Sequence, residues 1–180
     1  MKKQKKNMLP ILVISSIVLT FIIIAGHINF GTASGEELIN ASLVAHSPRD
    51  RVWSIVADVD NEPKYWSSIK EIKNLNVDPK NNVTERDVTL AFGNAIAHQI
   101  VKLDPRNSMI VVNQTQGPIT GTRTLTLSMP SNNPKETKID VSWNMDFSSI
   151  PIFGKGFAKD NIFKITEEAL KKIAVAAEKT

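Results

Sequence analysis

The run Ser47-Pro48-Arg49-Asp50-Arg51-Val52-Trp53-Ser54-Ile55-Val56-Ala57-Asp58-Val59, continued by Asn61-Glu62-Pro63-Lys64-Tyr65-Trp66, decides how the rest of this chain is read. Leu38 to His46 leads into it as a strand-like segment. Ser47 is placed to cap a helix, and Pro48 takes the first helical position, where its missing N–H costs least. Val52, Trp53, Ile55, Val56 and Val59 are its apolar residues, and the predicted helix covers 48–57. A short second helix is predicted from about Glu62 to Ser68.

Outward from that run, turn signals separate a series of strands. Strands are predicted over 69–77, 83–92, 95–103, 108–114, 120–129 and 137–148. The breaks between them fall at 78–82, Gly93-Asn94, Asp104-Pro105-Arg106-Asn107, Gly117-Pro118 and 130–134, with Pro151 closing the last. This spacing predicts an antiparallel meander. Arg123, Leu125, Leu127 and Met129 alternate with Thr122, Thr124, Thr126 and Ser128. Ile139, Val141, Trp143, Met145 and Phe147 alternate with Asp140, Ser142, Asn144 and Asp146, so each strand has one apolar and one wet face. After Pro151 a helical run reaches about Lys179, striped by Ile162, Phe163, Ile165, Ala169, Leu170, Ile173 and Ala177. Such a helix is long enough to cover the apolar face of the sheet.

Strand, two helices, six strands, long helix: this order, opened by the run over 47–66, resembles the START-like (SRPBCC) superfamily of helix-grip domains. Polyketide cyclases/dehydrases, lipid-transport proteins, coenzyme Q-binding and ribosome-association-type proteins and plant hormone receptors share that plan. The likeness covers about residues 38–178. It implies an α+β fold in which an antiparallel sheet of six to seven strands wraps around the long C-terminal helix and leaves a cavity between them. The implied activity is non-covalent binding, or transfer, of a hydrophobic small molecule such as a lipid, quinone or isoprenoid. The alternatives are an enzyme of the polyketide cyclase/dehydratase type and a closed-core protein-interaction domain. A cavity of several hundred Å³, the usual scale of small-molecule pockets, would support binding.

Composition narrows the rest. Forty-two per cent hydrophobic and 6% aromatic residues fit a folded protein. No cysteine is present, which excludes disulfides, thiolate metal sites and a cysteine nucleophile. The formal net charge of +4 comes from Lys2, Lys3, Lys5 and Lys6 alone; from Glu36 onward there are 18 basic and 18 acidic residues. A basic stripe interleaved with aromatics is missing, so no nucleic-acid partner is expected.

Between Lys6 and Glu36 there is no charged side chain, and Met8 to Ala25 is apolar apart from two serines and a threonine. Eighteen helical residues rise ~27 Å, close to the ~30 Å of a bilayer's hydrocarbon core. The expected division is a basic tail over 1–7, a transmembrane helix (or the apolar region of a secretory signal) over 8–26, a linker over 27–36 and the START-like domain over 37–180. Lysines before the apolar run would keep the N-terminus cytoplasmic, with the domain outside a membrane that it also touches as a partner. Cleavage after Ala33 or Gly35 would instead release it.

The concave sheet face and the terminal helix should line the cavity. Val88, Leu90 and Phe92 on one strand, and Ile96, His98 and Ile100 on the next, are candidates. Leu125, Leu127, Met129, Val141, Trp143, Met145, Phe147, Phe157 and Phe163 complete the apolar set, which would equally well form a closed core. Alternation places Arg86 with Val88 and Leu90, and Arg123 with Leu125 and Leu127. Guanidiniums so placed would bind a carboxylate, phosphate or keto oxygen; the alternative is that both sit at strand ends and reach solvent, or pair with acids. His98 is the nearest candidate for a general base, provided a carboxylate is aimed at it. No residue is assigned a catalytic role, and no metal or cofactor is expected. Tyr65 and Trp66, by resemblance, border the cavity mouth.

Overall fold

The computed structural model describes residues 36–130 and 133–179. Among them are seven strands: β1 (Glu36–Ala45), β2 (Ile69–Asp78), β3 (Val83–Leu90), β4 (Ile96–Asp104), β5 (Met109–Gln116), β6 (Thr120–Ser128) and β7 (Thr137–Asp146). Helix α1 is Arg49–Val56 and helix α2 is Ile152–Glu178. The strands form one antiparallel sheet in the order β1-β7-β6-β5-β4-β3-β2. The meander therefore runs unbroken from β2 to β7, and only β1 pairs out of sequence.

The start of the domain departs from expectation in two ways. Ser47 caps no helix: Pro48 is the N-cap of α1, without a side-chain cap bond. The Ser47 hydroxyl instead donates to the Ala177 carbonyl at 3.0 Å, and the Ser47 carbonyl accepts from Thr137 Oγ1 at 2.7 Å. That residue thus ties the last turn of α2 to the first residue of β7. The second helix is a 3₁₀ segment, Val59–Lys64, rather than a helix over 62–68. Pro63 lies inside it and lacks an amide hydrogen, so it donates no backbone bond there.

The core lies between the concave sheet face, α1 and the C-terminal half of α2. Val52 and Val56 from α1 meet Ala169, Leu170, Ile173, Ala174 and Ala177 from α2 over Val88, Val101, Ile110, Leu125, Leu127, Ile139 and Val141. The N-terminal half of α2 packs elsewhere. Its Ala158 and Ile162 meet a smaller cluster of Ile39, Met145 and Phe147 with Ile119 and Ile150. The helix therefore has a firmly held half and a half anchored on few residues, a difference that bears on local opening.

Among the described residues no helix is long and apolar enough to cross a membrane. The expected membrane or signal segment over 8–26, and the linker up to residue 35, lie outside the described residues.

Candidate functional site

Strand register brings three polar side chains of the concave face together. Arg86 on β3 lies opposite Gln99 on β4, which lies opposite Gln114 on β5. Arg86 Nε and Nη2 donate to Gln99 Oε1 at 3.1 and 2.9 Å, and Nη1 donates to the Val59 carbonyl at 3.0 Å. Gln99 Nε2 donates to Gln114 Oε1 at 3.0 Å, and Gln114 Nε2 donates to the Ile119 carbonyl at 2.5 Å. Each member of this row has its partner, as burial demands.

Glu62, on the 3₁₀ segment, closes the row from above. Its two carboxylate oxygens are divided between Arg86 Nη2 and Arg123 Nη2. All three charged groups are buried, Arg86 completely. Burial by itself would push the Glu62 carboxyl up; the charges of Arg123 and Arg86, with their hydrogen bonds, outweigh it and hold the group below the usual carboxylate range. Burial likewise pulls the Arg123 guanidinium below the ordinary arginine value, against the attraction of Glu62 and with the repulsion of Arg86. Two guanidiniums against one carboxylate leave an excess of positive charge, and ions removed from water cost several kcal/mol each.

Aromatic rings supply part of the compensation. The Arg123 guanidinium carbon lies 4.2 Å from the centroid of the Trp66 ring and 5.5 Å from that of Trp143. The two rings meet edge to face, with centroids 5.8 Å apart. Trp143 Nε1 donates to Thr166 Oγ1 at 2.9 Å, which donates onward to the Ile162 carbonyl at 2.7 Å. The sheet–helix seam is thus pinned, yet Arg123 Nε has no hydrogen-bond partner among the described residues.

A cavity of about 10 Å³ adjoins this centre. Its walls are Ile55, Val56, Tyr65, Trp66, Ile110, Leu125 and Ile173, with Glu62, Arg123 and Asp58 as polar members. Asp58 is exposed and its carboxylate accepts from Asn61 Nδ2. The volume has room for about one water, far below the several hundred Å³ that the resemblance implies.

Of the residues anticipated from the sequence, Arg123 and Leu125 border the cavity. Arg86 stands behind it, bound to Glu62 and Gln99. Val88, Leu127 and Met145 are buried among core neighbours, with Leu90 and Trp143 packed against them.

Seven placements require correction. Met129 is 48% exposed, because β6 ends at Ser128. Phe92 is 85% exposed, because β3 ends at Leu90 and a turn carries Phe92 outward. Phe157 is 76% exposed and Phe163 lies at the helix surface, since the helix stripe that meets the sheet passes through Ala158, Ile162 and Ile165 instead. His98 lies on the outer, convex face with Ile96 and Ile100, both exposed, while Ala97, Gln99 and Val101 face inward. Strand β4 carries apolar residues at both parities, so alternation alone selects neither face; the bond from Arg86 to Gln99 selects it. On the outer face His98 does have carboxylates aimed at it: Nδ1 pairs with Asp87 Oδ1 at 3.0 Å and Nε2 with Glu85 Oε1 at 3.1 Å. The whole sheet separates it from Arg123.

Sequence reasoning missed Glu62, Gln99 and Gln114 as site members. Gln114 was findable, since it continues the alternation Ile110, Val112 into the interior. Glu62 carries no periodic signal; only the tertiary position of its segment brings it over the sheet.

No family model matches the chain, and no curated protein does. Solved structures do match. A protein of Thermus thermophilus is 15% identical, with a TM-score of 0.66 over 78% of this chain and 96% of that one. The Zhui aromatase/cyclase of a Streptomyces species is 14% identical, with a TM-score of 0.65 over 79% of this chain and 94% of that one. A START superfamily protein of Mycobacterium smegmatis is 16% identical, with a TM-score of 0.58 over 78% of this chain and 94% of that one. The fold is the START-like helix-grip fold, with its seven-stranded antiparallel sheet and C-terminal helix.

Proposed function

We propose that this domain binds, without catalysis, a small molecule with an apolar body and an anionic or carbonyl head, and that Arg123 receives the head. One observation carries this reading: a buried guanidinium, one N–H of which lacks a partner among the described residues, borders a cavity whose other walls are mostly apolar. An incoming carboxylate or carbonyl oxygen would satisfy that donor, and a carboxylate would also balance the excess charge. The fold lends support, since solved neighbours include an aromatase/cyclase and a START superfamily protein. Anchorage through residues 8–25 would hold the domain beside a membrane reservoir of apolar ligands.

At about 10 Å³ the cavity is closed to such a ligand, so binding includes an opening step. We assign the movement to the N-terminal half of α2, which rests on the smaller cluster and reaches Arg123 through Trp143 and its bond to Thr166, while the one α2 residue in the cavity wall, Ile173, stays in the firmly held half. Affinity is then reduced by the fraction of molecules that are open. Native mass spectrometry of the full chain, released from its membrane mimic, tests the reading. A bound molecule of several hundred daltons, on the scale that fills such pockets, is expected in the wild type and not in Arg123→Met.

The small volume of this cavity favours a second reading, a closed-core domain that contacts other macromolecules. It predicts an empty protein in the same spectra. A cyclase/dehydratase that uses His98 and Arg123 together has no support here, because the two side chains project from opposite faces of the sheet.

A further inference from the structure

Three large apolar side chains crowd the first turns of α2 and are left largely open. Ile152 is 88% exposed, Phe153 91% and Phe157 76%. Phe153 and Phe157 are four residues apart and so share one side of the helix. Apolar residues scattered singly on a surface are ordinary, but three within six residues form a patch.

The position of the patch gives it meaning. Glu36, the first described residue, lies opposite Asp146 at the end of β7, and α2 begins six residues later at Ile152. Glu37 forms an ion pair with Lys159, in the second turn of α2. The chain that precedes the domain therefore joins it at the same end as the patch. That preceding chain contains the apolar run over 8–25, and ten residues, 26–35, separate the run from Glu36. Ten residues reach ~35 Å at most. The β3–β4 turn, carrying exposed Phe92, also lies at this end, because Thr89 pairs with Ile96, His98 with Gln116 and Thr120 with Asp146.

We propose that Ile152, Phe153 and Phe157 form a membrane-docking surface, which lays the N-terminal end of α2 into the interface of the bilayer that anchors the chain. The proposal rests on the reading of residues 8–25 as an anchor. Aromatic and branched apolar side chains at the rim of an interfacial helix enter the headgroup–acyl boundary and are held there by their buried area. Docked in this way, the half of α2 that rests on the smaller cluster faces lipid.

The chain has no cysteine, so a single label can be placed at will. Phe157→Cys and, at the opposite end of the sheet, Arg106→Cys are labelled with an environment-sensitive fluorophore. The full chain is reconstituted in vesicles of phosphatidylcholine and phosphatidylglycerol. The label at 157 is expected to be quenched by doxyl-labelled lipid, and about threefold less by aqueous iodide than the label at 106. Equal iodide quenching at both sites, in vesicles that retain the chain through an alkaline wash, overturns the docking while leaving the anchor in place. A chain that washes off overturns both. Protection at 157 without doxyl quenching means that protein covers the patch, whether the chain's own apolar run or a second copy, and also overturns it. The label lies outside the Arg123 cavity, so none of these results bears on ligand binding there.

Discussion

The guanidinium carbon of Arg123 lies 4.2 Å from the centroid of the Trp66 ring, inside the protein. The π face of the ring offsets part of the cost of burying a cation. Trp66→Leu removes this attraction and leaves a void. The expected loss is about 3 kcal/mol, combining large-to-small truncation with a desolvated cation–π contact. Urea unfolding followed by circular dichroism measures it. A loss below ~1 kcal/mol would mean that the ring does not support the charge.

Glu62 is shared by Arg86 and Arg123. Glu62→Gln keeps the shape, removes the charge and should cost about 3–5 kcal/mol, the usual result of breaking a buried pair. Replacing all three together (Arg86→Met, Glu62→Leu, Arg123→Met) should be neutral or stabilising, because no ion then needs to be buried. The carboxyl is held below its ordinary value of 4.5, so its contribution is fully present above that pH and is lost as pH falls through the lower folded value. The acid limb of a stability–pH curve should therefore flatten in the triple variant.

His98 titrates in the opposite sense. The hydrogen bond to Asp87 comes first among the causes that raise it above 6.5; burial opposes, and the charges of Asp87 and Glu85 add to the rise. A raised folded value means that the stabilisation is complete below 6.5 and is lost as pH rises through the folded value. His98→Gln should remove that slope and leave ligand binding intact, since the ring lies on the outer face. Proton NMR of the imidazole, with unfolding curves on both sides of neutrality, checks both statements.

Gly121 occupies β6 opposite Gln114 and Met145, with φ +142. A Cβ there would meet the Asn144 carbonyl and come within 2.7 Å of Met145 Cα. Gly121→Ala should therefore destabilise by more than about 1 kcal/mol, as expected where the backbone does not admit a side chain. Thermal unfolding against wild type gives the value.

The fold was legible because its signals are local. Pro48, the turn clusters and the alternation of β6 and β7 each act over a few residues, and together they allow one element order. The inward placement of Arg86 and Arg123 followed from the same period of two. The face of β4 was not legible: Ile96 and Ile100 compete with Ala97 and Val101, and the choice is made across the sheet by the Arg86–Gln99 bond. Glu62 was hidden for a similar reason, since its partners Arg86 and Arg123 lie 24 and 61 residues away. The small volume of the cavity beside Arg123 is a property of packing among α1, α2 and the sheet, and no single segment encodes it.

Whether Arg123 receives an anionic head can be measured directly. The chain from Glu36 onward, stripped of lipid and with Trp53 replaced by Phe, is titrated with dodecanoate and with dodecanol while the fluorescence of the two remaining tryptophans, Trp66 and Trp143, is followed. The two probes share an apolar body and differ in the head. Dodecanoate should bind about tenfold more tightly, as a charge-assisted hydrogen bond in a buried site allows, and Arg123→Met should erase the difference. Equal affinities with Arg123 in place, or an unchanged preference in Arg123→Met, would contradict the assignment of Arg123 as the ligand's polar anchor.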